Sequence, residues 1–242
     1  MEPHSRPPAD AVAYRSLALV SLLFRNNLER ALASEQRPRG VVERLNTLLL
    51  EWMDREGVRA RLSKRERSAM ETPLGGWEER GVAELSWRIE AVGALLWSVG
   101  LVPAIAPYDT MSELDEVIPG LGVFESSAPL MTRLRAQDER AMSAQRDIAE
   151  IWHWRARTAE LQRRSGLLPA PQNLQSALER ARAAGAFDAI PTSGDLLAFG
   201  KPYRDLSVEE LTTCAAIARE RHHALNWACG RSTDWDDTAA DT

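Results

Sequence analysis

Apolar residues recur every three or four positions along most of this chain, and helix punctuation brackets the runs. That period puts one apolar stripe on an α-helix and none on a strand, so it commits the chain to helices packed on helices. Ser63 with Glu66 and Ser207 with Glu210 have the spacing of capping boxes, which open a helix by satisfying its first free amides. Gly100 and Gly230 stand where helices stop, and Pro73 and Pro103 forbid continuation.

The pattern predicts helices over Ala11–Ala33, Val41–Glu56, a short one from Ser63 to Thr72, Trp77–Val99, Pro129–Arg164, Gln175–Ala184 and Ser207–Cys229. In the second, Val42, Leu45, Leu48, Leu49 and Trp52 face inward. Thr110 with Glu113 predicts a further short helix closed by Pro119-Gly120, and Gly200-Lys201 predicts a small hairpin near 195–204. The expected fold class is therefore mainly α. Residues 1–10 form a Pro-rich flexible start, and 11–242 form one multi-helix bundle without internal repeats.

A chain of 242 residues with 44% apolar content buries a core without staples. Its net charge of −5 argues against a nucleic-acid surface, which needs clustered cations. Leu17–Phe24 is the longest apolar run of the first helix and is too short to span a bilayer, so no membrane partner is expected. Cys214 and Cys229, about 22 Å apart along one helix, cannot bridge, and a reduced cytoplasmic chain follows. Lys64 and Lys201 are the only lysines, so nearly every cation is an arginine suited to forked carboxylate pairing.

Four constellations carry the available chemistry. Glu90 shares a helix stripe with Trp87 and Trp97; once buried it is either a base of raised pKa or one half of an ion pair, and burial favours the pair. His153 and Arg157, one turn apart, form an anion clamp or a packed structural pair. Glu220-Arg221-His222 with Asn226 and Trp227 reads as a polar network on one helix. Trp235, Asp236 and Asp241 read as a tail that docks on the bundle, its carboxylates meeting Arg88, Arg157 and Arg221. His153, His222 and Asp236 are the most plausible metal trio, but no compact ligand spacing supports it, so neither metal nor cofactor is expected. There is also no phosphate loop, nucleophile elbow or CxxC motif.

The strings SWRIEAVGALLWSVGLV (86–102), HWRART (153–158), FGKPYRDLSVEE (199–210), ERHHALNW (220–227) and WDDTAADT (235–242) resemble the bacterial family known as domain of unknown function 4272. The resemblance runs from about Leu62 to the end, with the first helix as the further stretch it could take in. It places Arg88, Glu90, Trp97, His153, Trp154, Arg157, Glu220, Arg221, His222, Asn226, Trp227, Trp235, Asp236, Asp241 and Thr242 on the family's motif positions, and His223 on a variable one. It implies a helical cytoplasmic protein and supplies no activity to carry over. Three readings compete: a protein that binds a small molecule or protein partner through a polar network or cleft, a hydrolase, and a purely structural use of these residues with function on the variable surface. The hydrolase would use Glu90 or His222 as general base, with Arg157 and Arg221 on an anionic group.

Overall fold

The computed structural model describes residues 5–113, 121–165, 176, 179 and 194–239. Helix α1 (Ala9–Ala33) runs through its centre, with residues on every side buried, including Leu17, Leu19, Val20, Leu22 and Leu23. A helix apolar all round belongs inside a core, and α1 touches α2 (Arg39–Arg55), α3 (Lys64–Glu71), α4 (Glu79–Ser86), α5 (Arg88–Ser98) and α6 (Ala128–Thr132). Among the described residues no helix is long and apolar enough to cross a membrane. Further along the chain lie α7 (Glu139–Ser165), a hairpin of β1 (Leu197–Ala198) and β2 (Lys201–Pro202), and α8 (Val208–Ala228), which packs on both α5 and α7.

The punctuation acts as the spacing implies. Both capping boxes form, Ser63 with Glu66 at α3 and Ser207 with Glu210 at α8. Gly100 takes φ +72°, where the Leu101 amide donates to the Leu96 carbonyl (2.9 Å) and the Gly100 amide to Trp97 (3.0 Å). A Cβ there would also lie 2.6 Å from the Arg135 carbonyl oxygen, so only glycine fits. The hairpin turns on Phe199 and Gly200, both at positive φ, as a two-residue turn requires. Cys214 and Cys229 are both free.

Four expectations about elements change. Trp77–Val99 is two helices, because the Trp87 amide bonds Glu84 (3.3 Å) and the Glu90 amide bonds Trp87 (3.0 Å), tightening the ladder for one turn. Pro129–Arg164 is also two helices. Between them, the Arg135 and Gln137 amides donate to the Val99 and Ser98 carbonyls at the end of α5 (2.8 and 2.9 Å), and Asp138 restarts the helix by accepting from Ala141 (2.8 Å). Leu48 does not face inward but is 43% exposed, while Val42, Leu49 and Trp52 are buried. Residues 110–113 are not helical, since Glu90 takes the Ser112 amide (2.7 Å). The rest of that element and the helix expected from Gln175 fall outside the described residues, apart from 176 and 179.

Among the described residues, apolar packing forms two clusters. The larger surrounds α1, α5 and the second half of α8; the smaller joins Ala156 and Ala159 of α7 to Leu196, Tyr203, Leu206 and Cys214.

Candidate functional site

Helix α8 carries the polar centre, because its last two turns are buried and every charge there must be matched. Arg221 and Glu90 are both 0% exposed. Arg221 donates through Nε (3.0 Å) and Nη2 (2.7 Å) to Glu90 Oε2, and through Nη1 to the Ala106 carbonyl. Glu90 accepts further from the Ser112 amide and hydroxyl. One residue before Arg221, on a different side of the helix, Glu220 accepts from Arg88 (2.8 Å) and Arg219 (3.3 Å). Glu90 is thus the ion-paired carboxylate that burial favoured, with its partner on another helix.

The histidines form a polarised chain. A carbonyl only accepts, so Ala239, 2.9 Å from Asn226 Nδ2, fixes the orientation of that amide. The same nitrogen then donates to His222 Nε2 (3.0 Å), which leaves the proton of neutral His222 on Nδ1. Nδ1–H points at His153 Nδ1 (3.1 Å), which therefore accepts. Burial, then the neighbouring His153 and Arg146, lower the His222 pKa to about 3. His223 Nε2 faces the Trp235 carbonyl (3.0 Å) and so carries the proton, leaving Nδ1 as an acceptor. Burial, then Arg88, push its pKa down to about 4.

The tail straps this assembly. Trp235 is buried edge-on against His223 (4.4 Å) and Trp227 (5.6 Å), with the Arg15 guanidinium over its ring. Asp236 accepts from the Arg65 backbone amide in the first turn of α3 (2.9 Å), where a carboxylate meets the positive end of a helix. This corrects the expectation that Asp236 meets an arginine side chain. It also separates Asp236 from the two histidines, and among the described residues no three His, Cys, Asp or Glu side chains converge on a metal position. Asp241 and Thr242 lie outside the described residues.

Three buried ion pairs escape a reading of motifs. Arg155 grips Asp195 with two parallel bonds (2.7 and 2.8 Å), Arg15 pairs with Glu66 (2.7 Å), and Arg25 pairs with Glu29 (2.6 Å) while donating to the Thr72 carbonyl. Their common signal is an arginine on an apolar stripe: Arg155 lies between Trp152 and Ala159 at helical spacing, and Arg15 and Arg25 flank the Leu17–Phe24 run. Trp152 stacks on Tyr108 (5.0 Å), which lies beneath Arg221, and tilts against Tyr203, which lies beneath Arg155. The two tyrosines and two ion pairs thus share one indole.

Arg157 departs from expectation. It is 51% exposed rather than packed, and it pairs with Glu160 one turn on along α7 (2.6 Å), while His153 is buried. Both residues nevertheless line one groove of about 710 Å³ between α4, α7 and α8. Trp87, Ala156, Ala159, Leu211 and Ala215 supply its apolar surface. Arg157, Arg163, Arg164 and Arg219 border it, against Glu84 and Glu160. A larger groove of about 1100 Å³ lies between the end of α1 and α4, lined by Leu28, Trp77 and Val82.

The family model described as domain of unknown function (DUF4272) matches residues 2–185. The matched stretch takes in the first helix; the ERHHALNW and WDDTAADT strings lie beyond it. No curated protein and no solved structure matches the chain.

Proposed function

The chain belongs to the DUF4272 family, and from that premise we propose that it binds a small molecule with an apolar body and an anionic group in the groove between α4, α7 and α8. The observation that carries this reading is the lining itself: four arginines against two glutamates around an apolar floor of Trp87, alanines and Leu211, with His153 beside them. A volume of about 710 Å³ suits a small-molecule site. Arg157 and Arg164 share the half-exposed Glu160, so an incoming carboxylate or phosphate exchanges surface ion pairs of small worth for its own, while the buried Glu220 that Arg219 also contacts keeps Arg88.

The hydrolytic alternative has less support. Glu90 is enclosed by Arg221 and Ser112, and His222 by His153 and Asn226. Neither lines the groove, so neither is placed to activate a water beside a ligand there.

Calorimetric titration with hexanoate, phenylacetate, phenyl phosphate and the uncharged hexanol tests the reading. Saturable binding of an anion but not of hexanol is expected, weakened about tenfold by Arg219→Gln, or ~1.4 kcal/mol. No saturable binding, or binding indifferent to Arg219→Gln and Trp87→Ala, rejects it.

A further inference from the structure

Seven large apolar side chains are exposed among the described residues, and three of them gather on one side of the molecule: Val41 and Leu48 on α2, and Phe124 beside its end. Helix α2 packs on α1 and buries Val42, Leu49, Trp52 and Met53. Val41 and Leu48 are two turns apart, so they stand in one row on its open side. Phe124 lies edge-on to Phe24 (5.0 Å) and 6.1 Å from the Trp52 ring. Its backbone sits at φ +72°, an uncommon conformation for a bulky residue. The turn is pinned there by α2, because Trp52 Nε1 donates to the Glu125 carbonyl (2.7 Å) and Glu56 takes the Ser127 amide and hydroxyl (both 2.9 Å). A strained backbone thus holds an aromatic ring at the surface.

A charged row runs alongside, on the side of Leu48 away from Trp52. Arg44 and Glu51 are also two turns apart, both exposed, and neither has an ion-pair partner among the described residues. At about 10 Å along one helix they are too far apart to pair with each other. They match instead their own reversed image. A two-fold axis beside the midpoint of Thr47 and Leu48 would set Arg44 on the second copy's Glu51, and Glu51 on its Arg44. The same operation brings the two Leu48 side chains together and lays each Phe124 over the second copy's Val41 and Leu45. Arg55, at the end of the row, is compensated by Glu56 (3.2 Å) and brings no bare charge. Charges that complement their own reversed order point to a second copy rather than to an unrelated partner.

We propose that the outer face of α2 is the contact between two copies of this chain, which associate as an antiparallel, two-fold symmetric dimer. No residue of α2 lines the α4–α7–α8 groove, so the contact leaves that groove open.

Sedimentation equilibrium of the full chain tests this. A concentration-dependent rise from 27.0 kDa towards twice that mass is expected. Leu48→Glu puts two carboxylates beside the axis, and Arg44→Glu or Glu51→Arg turns both rim pairs repulsive; each is expected to weaken the dimer about tenfold or more. All three positions are exposed, so each variant is expected to fold, with the helical circular dichroism of the parent. Arg44→Glu combined with Glu51→Arg in one chain restores the dimer, and an equimolar mixture of the two single variants forms a mixed one. A chain that stays monomeric up to about 1 mM overturns the proposal. So does a dimer indifferent to Leu48→Glu, or charge-reversed variants that neither recover in the double variant nor pair when mixed.

Discussion

Arg221 is tolerated at full burial because each part of its guanidinium has a partner: Glu90 at Nε and Nη2, the Ala106 and Thr110 carbonyls, and the Tyr108 ring 4.9 Å away. Arg221→Met strands Glu90 in the core, and urea unfolding should show a loss of about 3–5 kcal/mol, partly recovered when Glu90→Met is added. Recovery distinguishes a matched pair from a residue that merely fills space. The histidines make a second prediction. The unfolded chain takes up protons near pH 6.5, while the fold keeps His223 and His222 neutral down to about 4 and 3. Between those values the unfolded state binds more protons, so each histidine's contribution is whole above pH 6.5 and declines below it, by about 1.4 kcal/mol per pH unit. Unfolding titrations from pH 7 to pH 4 should therefore show steadily falling stability, and His222→Asn should flatten the slope. At this scale Glu90 was legible, since helical spacing placed a carboxylate on a tryptophan stripe. Its partner was not, because Arg221 lies 131 positions along the chain and no local pattern encodes that distance.

Among the elements, the strap does the most with the least chain. Trp235 wedges between His223, Trp227 and Arg15, and Asp236 then caps α3, so α1, α3 and α8 are tied by neighbouring residues. Trp235→Ala should cost about 3–5 kcal/mol, as large aromatic deletions do. Hydrogen exchange should quicken at the Arg65 amide, which loses its cap when the strap lifts; protection unchanged there would mean that Asp236 holds α3 without Trp235. Starts and stops of elements were well marked, because capping boxes and positive-φ glycines satisfy their own backbone groups locally. Breaks inside the long periodic runs were not. Residues 135–137 leave the helix to serve carbonyls at the end of α5, a contact between segments that periodicity does not register.

For the whole molecule, α5 is the bridge. It packs on α1 on one side and on α8 on the other, and α8 in turn packs on α7. Losing either side exposes the apolar face of α5, so calorimetry should record one transition with matching calorimetric and van't Hoff enthalpies. Two resolved transitions would instead assign α7, the hairpin and the start of α8, which share the smaller apolar cluster, to an independent unit. The same packing decides what chemistry is available. It closes Glu90, Arg221 and His222 away from the grooves while leaving His153 and Arg157 on the wall of one. Sequence by itself determined that the chain is helical, where most helices begin and end, that a hairpin turns at Gly200, and which polar residues are too close to apolar stripes to be idle. Those properties depend on neighbours three or four positions away, and the local pattern contains them. Only the tertiary structure decided that Arg155 belongs to Asp195, that Asp236 caps a helix rather than meeting an arginine, and that Arg157 faces a groove. Each of those depends on a partner brought close by packing, and the energy that selects it is absent until the helices meet.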